Sequence, residues 1–164
     1  MKYKLNLAVL TLMLLALRGE TMQAQGKFGV GFGFGEPTGI SWKYRINPTN
    51  SIDGLLGFSP VDHLRVNVDY LWHDNPFQEQ RLLLHYGIGG TFGFGRTQYV
   101  QRDGQVLFLK YYNDTQFGVR LPLGLSYYIP KSPVEAFLEI APVLVIAPLS
   151  GFGLDGGIGA RFYF

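Results

Sequence analysis

Residues 117–129 read FGVRLPLGLSYYI, and the alternation in that stretch decides the fold. Phe117, Val119, Leu121, Leu123, Leu125, Tyr127 and Ile129 fall on one face of an extended chain, while Gly118, Arg120, Pro122, Gly124, Ser126 and Tyr128 fall on the other. Successive side chains of a strand point to opposite sides of its sheet, so a sustained period of two reads as a two-faced β-strand. The pattern recurs on both sides of this stretch. Upstream, the apolar faces are Phe28, Val30, Phe32, Phe34; Ile40, Trp42, Tyr44, Ile46; Ile52, Leu56, Phe58; Leu64, Val66, Val68, Tyr70, Trp72; and Leu82, Leu84, Tyr86, Ile88, Phe92, Phe94. Downstream they are Val134, Ala136, Leu138, Ile140, Leu144 and Ile158, Ala160, Phe162, Phe164. Eight antiparallel strands of an all-β protein are predicted.

The second face decides which way the strands turn. It carries Gly29, Gly31 and Gly33, then Gly87, Gly89 and Gly93, then Gly157 and Gly159, with charged residues between them. Eight strands enclose an interior only about wide enough for side chains, which eight rows of large apolar residues would overfill. Turned outward, those rows make a lipid-facing belt around a polar lumen, the arrangement of an eight-stranded transmembrane barrel of the outer-membrane type. The soluble alternative, a secreted lipocalin-like barrel, would present the glycine face to water and weaken its strands.

Composition agrees. The 164 residues include 22 glycines, only 16% are charged and 47% are hydrophobic, against about 7% glycine and about 25% charged residues in an average soluble domain. No cysteine is present, which excludes disulfides, thiolate metal sites and cysteine nucleophiles.

Residues 1–24 read as a signal peptide, and 25–164 as the barrel. Lys2 and Lys4 precede an apolar core from Leu5 to Leu17, with a cut expected near Ala24. That core is shorter than the roughly 20 residues a spanning helix needs. Removing the segment takes the formal charge from +2 to zero, with 11 basic and 11 acidic residues left, so nothing points to nucleic acid. The last strand ends on Phe162 and Phe164, an expected signal to the outer-membrane assembly machinery. The tight connections at Asn47–Asn50 and Pro130–Pro133 are read as periplasmic turns, which makes residues 95–115 an external hairpin turning at Asp103–Gly104. The connection Asp74–Gln80 is long for a periplasmic turn. Arg96, Tyr99, Arg102, Lys110, Tyr111 and Tyr112 on the external hairpin are the candidate contact surface for an extracellular ligand.

Several segments resemble a family of small eight-stranded outer-membrane β-barrel proteins of diderm bacteria, spirochaete members included, with OmpA/OmpX-like architecture. They are GEPTGISWKY at 35–44, DYLWH at 69–73, YGIGG at 86–90, GVRLPLGLSYY at 118–128, FLEIAPVL at 137–144 and GGIGARFYF at 156–164. The resemblance implies an outer-membrane barrel and brings no catalytic residues.

In the lumen, opposed positions on paired strands sum to a constant about each turn. That arithmetic pairs Arg45 with Asp53, Asp69 with His85 and Glu139 with Arg161, beside Lys43, Arg65, Arg120, Glu135 and Asp155. The expected result is an ion-pair network that fills the interior and leaves a structural or adhesin-like role to the external loops. The catalytic alternative is that Asp69, His85 and Ser126, all inward, act in line as an acyl hydrolase or transferase on lipid A or phospholipid; a narrow pore is a third reading. His63, His73 and His85 lack metal-ligand spacing, and no cofactor or metal is expected. The glycine-rich stretch 29–35 alternates as a strand and is followed by no helix, so it is no phosphate loop. Pro122 and Pro142, near one height on paired strands, are expected to make a bulge or a weak lateral seam. The expected protein is a monomer in the lipid of the outer membrane.

Overall fold

The computed structural model describes residues 26–59, 63–79, 81–103, 106–147 and 150–164, with the backbone alone for His63, 95–103 and 106–114. The segment expected to be a signal peptide lies outside these residues. Nine strand segments form one antiparallel sheet: β1 (Phe28–Gly35), β2 (Thr38–Arg45), β3 (Asn50–Ser59), β4 (His63–Asp74), β5 (Leu82–Asp103), β6 (Val106–Arg120), β7 (Leu123–Tyr128), β8 (Val134–Ala147) and β9 (Gly151–Tyr163). Each pairs with its neighbour in sequence except β6 and β7, which do not pair with each other, and β1 pairs with β9, which closes the ring.

The eight predicted strands occupy eight wall positions, one of which is split into two of the nine segments. Both β6 and β7 lie between β5 and β8, so they are halves of one wall strand broken at Leu121–Pro122. The physical reason is Pro122, which has no N–H for the ladder. The alternation survives the break: Leu121 is exposed and Pro122 is buried.

The polarity of the barrel is inverted relative to a soluble one. Outward residues are large, apolar and exposed, with Phe58 at 71% and Phe152 at 77%. Inward residues are polar and buried, among them Ser41, Lys43, Asp53, Arg65, Asp69, His85, Arg120, Glu135 and Arg161. Inward glycines give the large inward side chains room. A Cβ at Gly124 would lie 2.5 Å from His85 Nε2, one at Gly89 would meet the Asp69 carboxylate, and one at Gly159 would meet the Phe137 ring.

Outward aromatics gather toward the two ends. At the end that holds the strand termini, Trp72 stacks on Tyr86 with centroids 6.1 Å apart and meets Tyr70 edge-on, and Phe162 meets Phe164 edge-on. At the far end β5 and β6 continue past the wall as a two-stranded ribbon, in register from Gly95↔Asp114 to Asp103↔Val106. Nine residues on β5 give it a reach of about 30 Å. The register centres its turn on residues 104 and 105, one residue beyond the expected position; those two residues, and the side chains of Arg96, Tyr99, Arg102, Lys110, Tyr111 and Tyr112, lie outside the described residues.

Candidate functional site

The lumen holds clusters of polar and charged side chains, the largest of which joins strands that are not neighbours in the sheet. Lys43 on β2 donates from Nζ to Glu135 Oε1 on β8 at 2.8 Å, and both side chains are fully buried. Glu135 also accepts from the Ser126 hydroxyl at 2.6 Å and from the Tyr163 hydroxyl, with Arg161 at 3.6 Å. Arg161 donates to Asp53 Oδ2 at 2.8 Å and to the Ser41 hydroxyl at 2.8 Å, and its guanidinium lies 4.0 Å from the centroid of the Phe137 ring. Nearer the far end, Arg120 bridges Glu139 at 2.6 Å and Asp69 at 3.3 Å. Above it Arg65 holds Asp155 at 2.9 Å and Glu36 at 3.6 Å. Thr91 donates to Asn67 at 2.7 Å within the same lumen.

The register corrects all three partner assignments made from turn arithmetic. Arg45 lies opposite Ser51, and Asp53 opposite Lys43. Asp69 lies opposite Gly89, and His85 opposite His73. Arg161 lies opposite Glu135, and Glu139 opposite Gly157. Each turn is centred one or two residues from the position assumed; the first, for example, closes through Ile46 N to Asn50 O at 3.0 Å. Several ion pairs moreover join strands that are not neighbours, Asp53 to Arg161, Asp69 to Arg120 and Glu139 to His85, while Glu139 to Arg120 and Glu135 to Arg161 join neighbouring ones. Arg45 lies between two aromatic rings, 4.5 Å from the centroid of Tyr128 and 4.2 Å from that of Tyr163. Tyr163 went unnoticed in the sequence, although its parity between Phe162 and Phe164 turns it inward.

A family model described as protein of unknown function, DUF3996, matches residues 19–163. The chain belongs to the DUF3996 family. No curated protein matches it in sequence. In structure it is similar to the N-terminal β-barrel domain of Pseudomonas aeruginosa OprF, known from a crystal structure, with a TM-score of 0.58 over 84% of this chain and 95% of that one at 13% identity. Likeness at that identity concerns the fold.

In this DUF3996 barrel, the residues named for catalysis come together differently from the expected order. His85 Nδ1 lies 3.1 Å from Ser126 Oγ, and His85 Nε2 lies 3.2 Å from Glu139 Oε2. The carboxylate behind the imidazole is therefore Glu139, while Asp69 is engaged by Arg120. The single hydrogen of Ser126 is donated to Glu135 Oε1 at 2.6 Å, so in this arrangement it is not given to the His85 imidazole, the transfer that a general base requires.

Lys43, Arg45, Arg65, Arg120 and Arg161 share the lumen with Glu36, Asp53, Asp69, Glu135, Glu139 and Asp155, and His85 lies against Glu139. Ion pairs satisfy most of them, which is the condition for keeping charge out of water. A cavity of about 30 Å3 remains toward the far end, lined by Glu36, Asp53, Asn67, Asp69, Arg120 and Glu139 among others. It has room for about two waters. Among the described residues no three His, Asp or Glu side chains are placed to hold a metal ion.

Proposed function

We propose that the protein is a small integral outer-membrane barrel whose lumen is closed by its ion-pair network and whose external ribbon contacts other molecules. The observation that carries this reading is the inverted polarity of a closed ring: buried charge inside, exposed aromatic and aliphatic side chains outside. A surface of that kind is unstable in water and suited to a bilayer, because the sheet closes on itself and leaves no open edge to hydrocarbon. The end with the strand termini would then be periplasmic, and the ribbon of β5 and β6 external. That ribbon is the best candidate for an adhesin-like contact, since long external loops on a rigid barrel are free to vary and to bind.

The closed lumen is supported by the exposures of Lys43, Ser126, His85 and Glu135, none above 1%, at its middle. The test is threefold: fractionation of the full chain to the outer membrane, slower migration on SDS gels after heating than before, and an absence of stepwise conductance in planar bilayers. Steady conductance would replace this reading with the narrow pore.

An acyl hydrolase is the second reading, and the Ser126–His85–Glu139 alignment favours it. Against it stand the burial of Ser126, which leaves no room for a substrate carbonyl, and the commitment of its proton to Glu135. Lipid profiles of cells with Ser126→Ala and of deletion strains separate the two. The hydrolase requires that both differ from wild type in the same way.

A further inference from the structure

We propose that the barrel wall opens laterally at Leu121–Pro122 and admits an acyl chain of a membrane lipid to an apolar patch inside. This inference rests on the membrane reading. Its basis is the ladder on both flanks of the broken wall strand. In an antiparallel hydrogen-bonded pair, two residues exchange two N–H···O bonds. Gly87 and Pro122 stand in the register of β5 with β7, where Gly87 N donates to Pro122 O at 2.9 Å. The return bond cannot form, because Pro122 has no N–H. On the other flank Leu121 N donates to Pro142 O at 3.0 Å, and its return bond is missing for the same reason. Two prolines on neighbouring strands thus remove one bond from each side of a single dipeptide, midway between Thr115 and Tyr128. The carbonyls of Gly87 and Leu121 face ring nitrogens without hydrogen. A closed barrel has no edge on which to hide such a defect, and in hydrocarbon no water compensates for it.

The side chains behind the defect fit the same purpose. Leu71 lies opposite Gly87, and continuing the register through Pro122 reaches Ala141. These three side chains form an apolar row on the inner wall, with Leu71 and Ala141 at 0% exposure. The inward residues on either side of this row are mostly polar or charged: Asp69 and Arg120 on one side, His85 and Glu139 on the other. Outside the defect, Leu121, Leu123 and Ile140 are about half exposed, so in a bilayer the group next to the seam is an acyl chain. Opening at the half-bonded pairs breaks two ladder bonds where an intact wall would break four. The chain that enters first meets Leu71, Pro122 and Ala141, with the Arg120–Glu139 ion pair at their border.

The test uses the full barrel in phosphatidylcholine vesicles that contain a phospholipid with a diazirine midway along one acyl chain. After illumination, cross-linked residues are mapped by mass spectrometry. Cross-links are expected on the outward Leu121 and Ile140, and also on the inward Leu71 or Ala141. The double variant Pro122→Val, Pro142→Val restores both donors and is expected to cut inward cross-links at least tenfold while leaving outward ones in place. In the same samples the amides of Gly87 and Leu121 should exchange at least tenfold faster in wild type than in the variant. Outward cross-links without inward ones overturn the port and leave the membrane reading standing, as do inward cross-links or exchange rates that the double variant does not change. The absence of outward cross-links overturns both.

Discussion

Replacing Lys43 by Met tests whether the lumen network holds the barrel together. Lys43 Nζ and Glu135 Oε1 are 2.8 Å apart with both side chains fully buried, and Lys43 also reaches Ser126 at 3.4 Å. Removing one partner of such a pair costs about 3–5 kcal/mol, because the other charge is left without compensation. Glu135 keeps the Ser126 and Tyr163 hydroxyls, and Arg161 at 3.6 Å, so the expected loss is at the low end, about 3 kcal/mol. At 1.4 kcal/mol per factor of ten, that is more than a hundredfold in the folding equilibrium. The assay is urea unfolding of the refolded barrel in detergent micelles, followed by tryptophan fluorescence and by gel mobility. Glu135→Gln removes the charge and keeps one acceptor oxygen, for Ser126 or for Tyr163, so the double variant Lys43→Met, Glu135→Gln should recover about 2 kcal/mol relative to the sum of the single effects. A loss below about 0.5 kcal/mol for Lys43→Met, or strict additivity in the cycle, would refute the view that this pair is a structural tie across the lumen.

Gly89→Ala places a Cβ 1.8 Å from Asp69 Oδ1 and 2.3 Å from the Val68 carbonyl; the expected cost is about 1–3 kcal/mol by the same urea assay. Ser126→Ala leaves His85 Nδ1 without its hydroxyl partner and should destabilise by about 1–3 kcal/mol, while the lipid composition of expressing cells stays at the wild-type profile. Arg45→Ala removes the cation between the Tyr128 and Tyr163 rings and should cost about 1 kcal/mol, read as a lower urea midpoint. Replacing residues 97–111 by a short turn should leave the urea midpoint unchanged and abolish any binding of the protein to external partners, measured by pull-down on whole cells.

The strands and their faces were legible because parity is robust. An error of one residue in a turn's centre shifts each partner by two positions, so a side chain keeps its face and changes only its neighbour. That is why His85, Asp53 and Arg161 were placed inward while all three partner assignments failed. The pairing that matters was hidden for a second reason. Lys43 with Glu135, and Asp53 with Arg161, join walls that are not neighbours in the sheet, and no local pattern encodes the width and tilt of a closed barrel. The break at Pro122 was half visible: the missing N–H was evident from the sequence, but the two single bonds left at Gly87 and Pro142 follow only from the register. The glycine excess is likewise explained by what lies over it, since Gly89, Gly124 and Gly159 sit beneath Asp69, His85 and Phe137.

The chain has two tryptophans, and both alternate with the outward set: Trp42 is half-buried, and Trp72 is 39% exposed against Tyr70 and Tyr86. They report directly on what surrounds the barrel. In vesicles made from phosphatidylcholine with brominated acyl chains, the fluorescence of both should fall strongly relative to unbrominated vesicles, and soluble acrylamide should quench them weakly. Emission that ignores the brominated lipid and responds fully to acrylamide would contradict a barrel whose apolar face meets the bilayer.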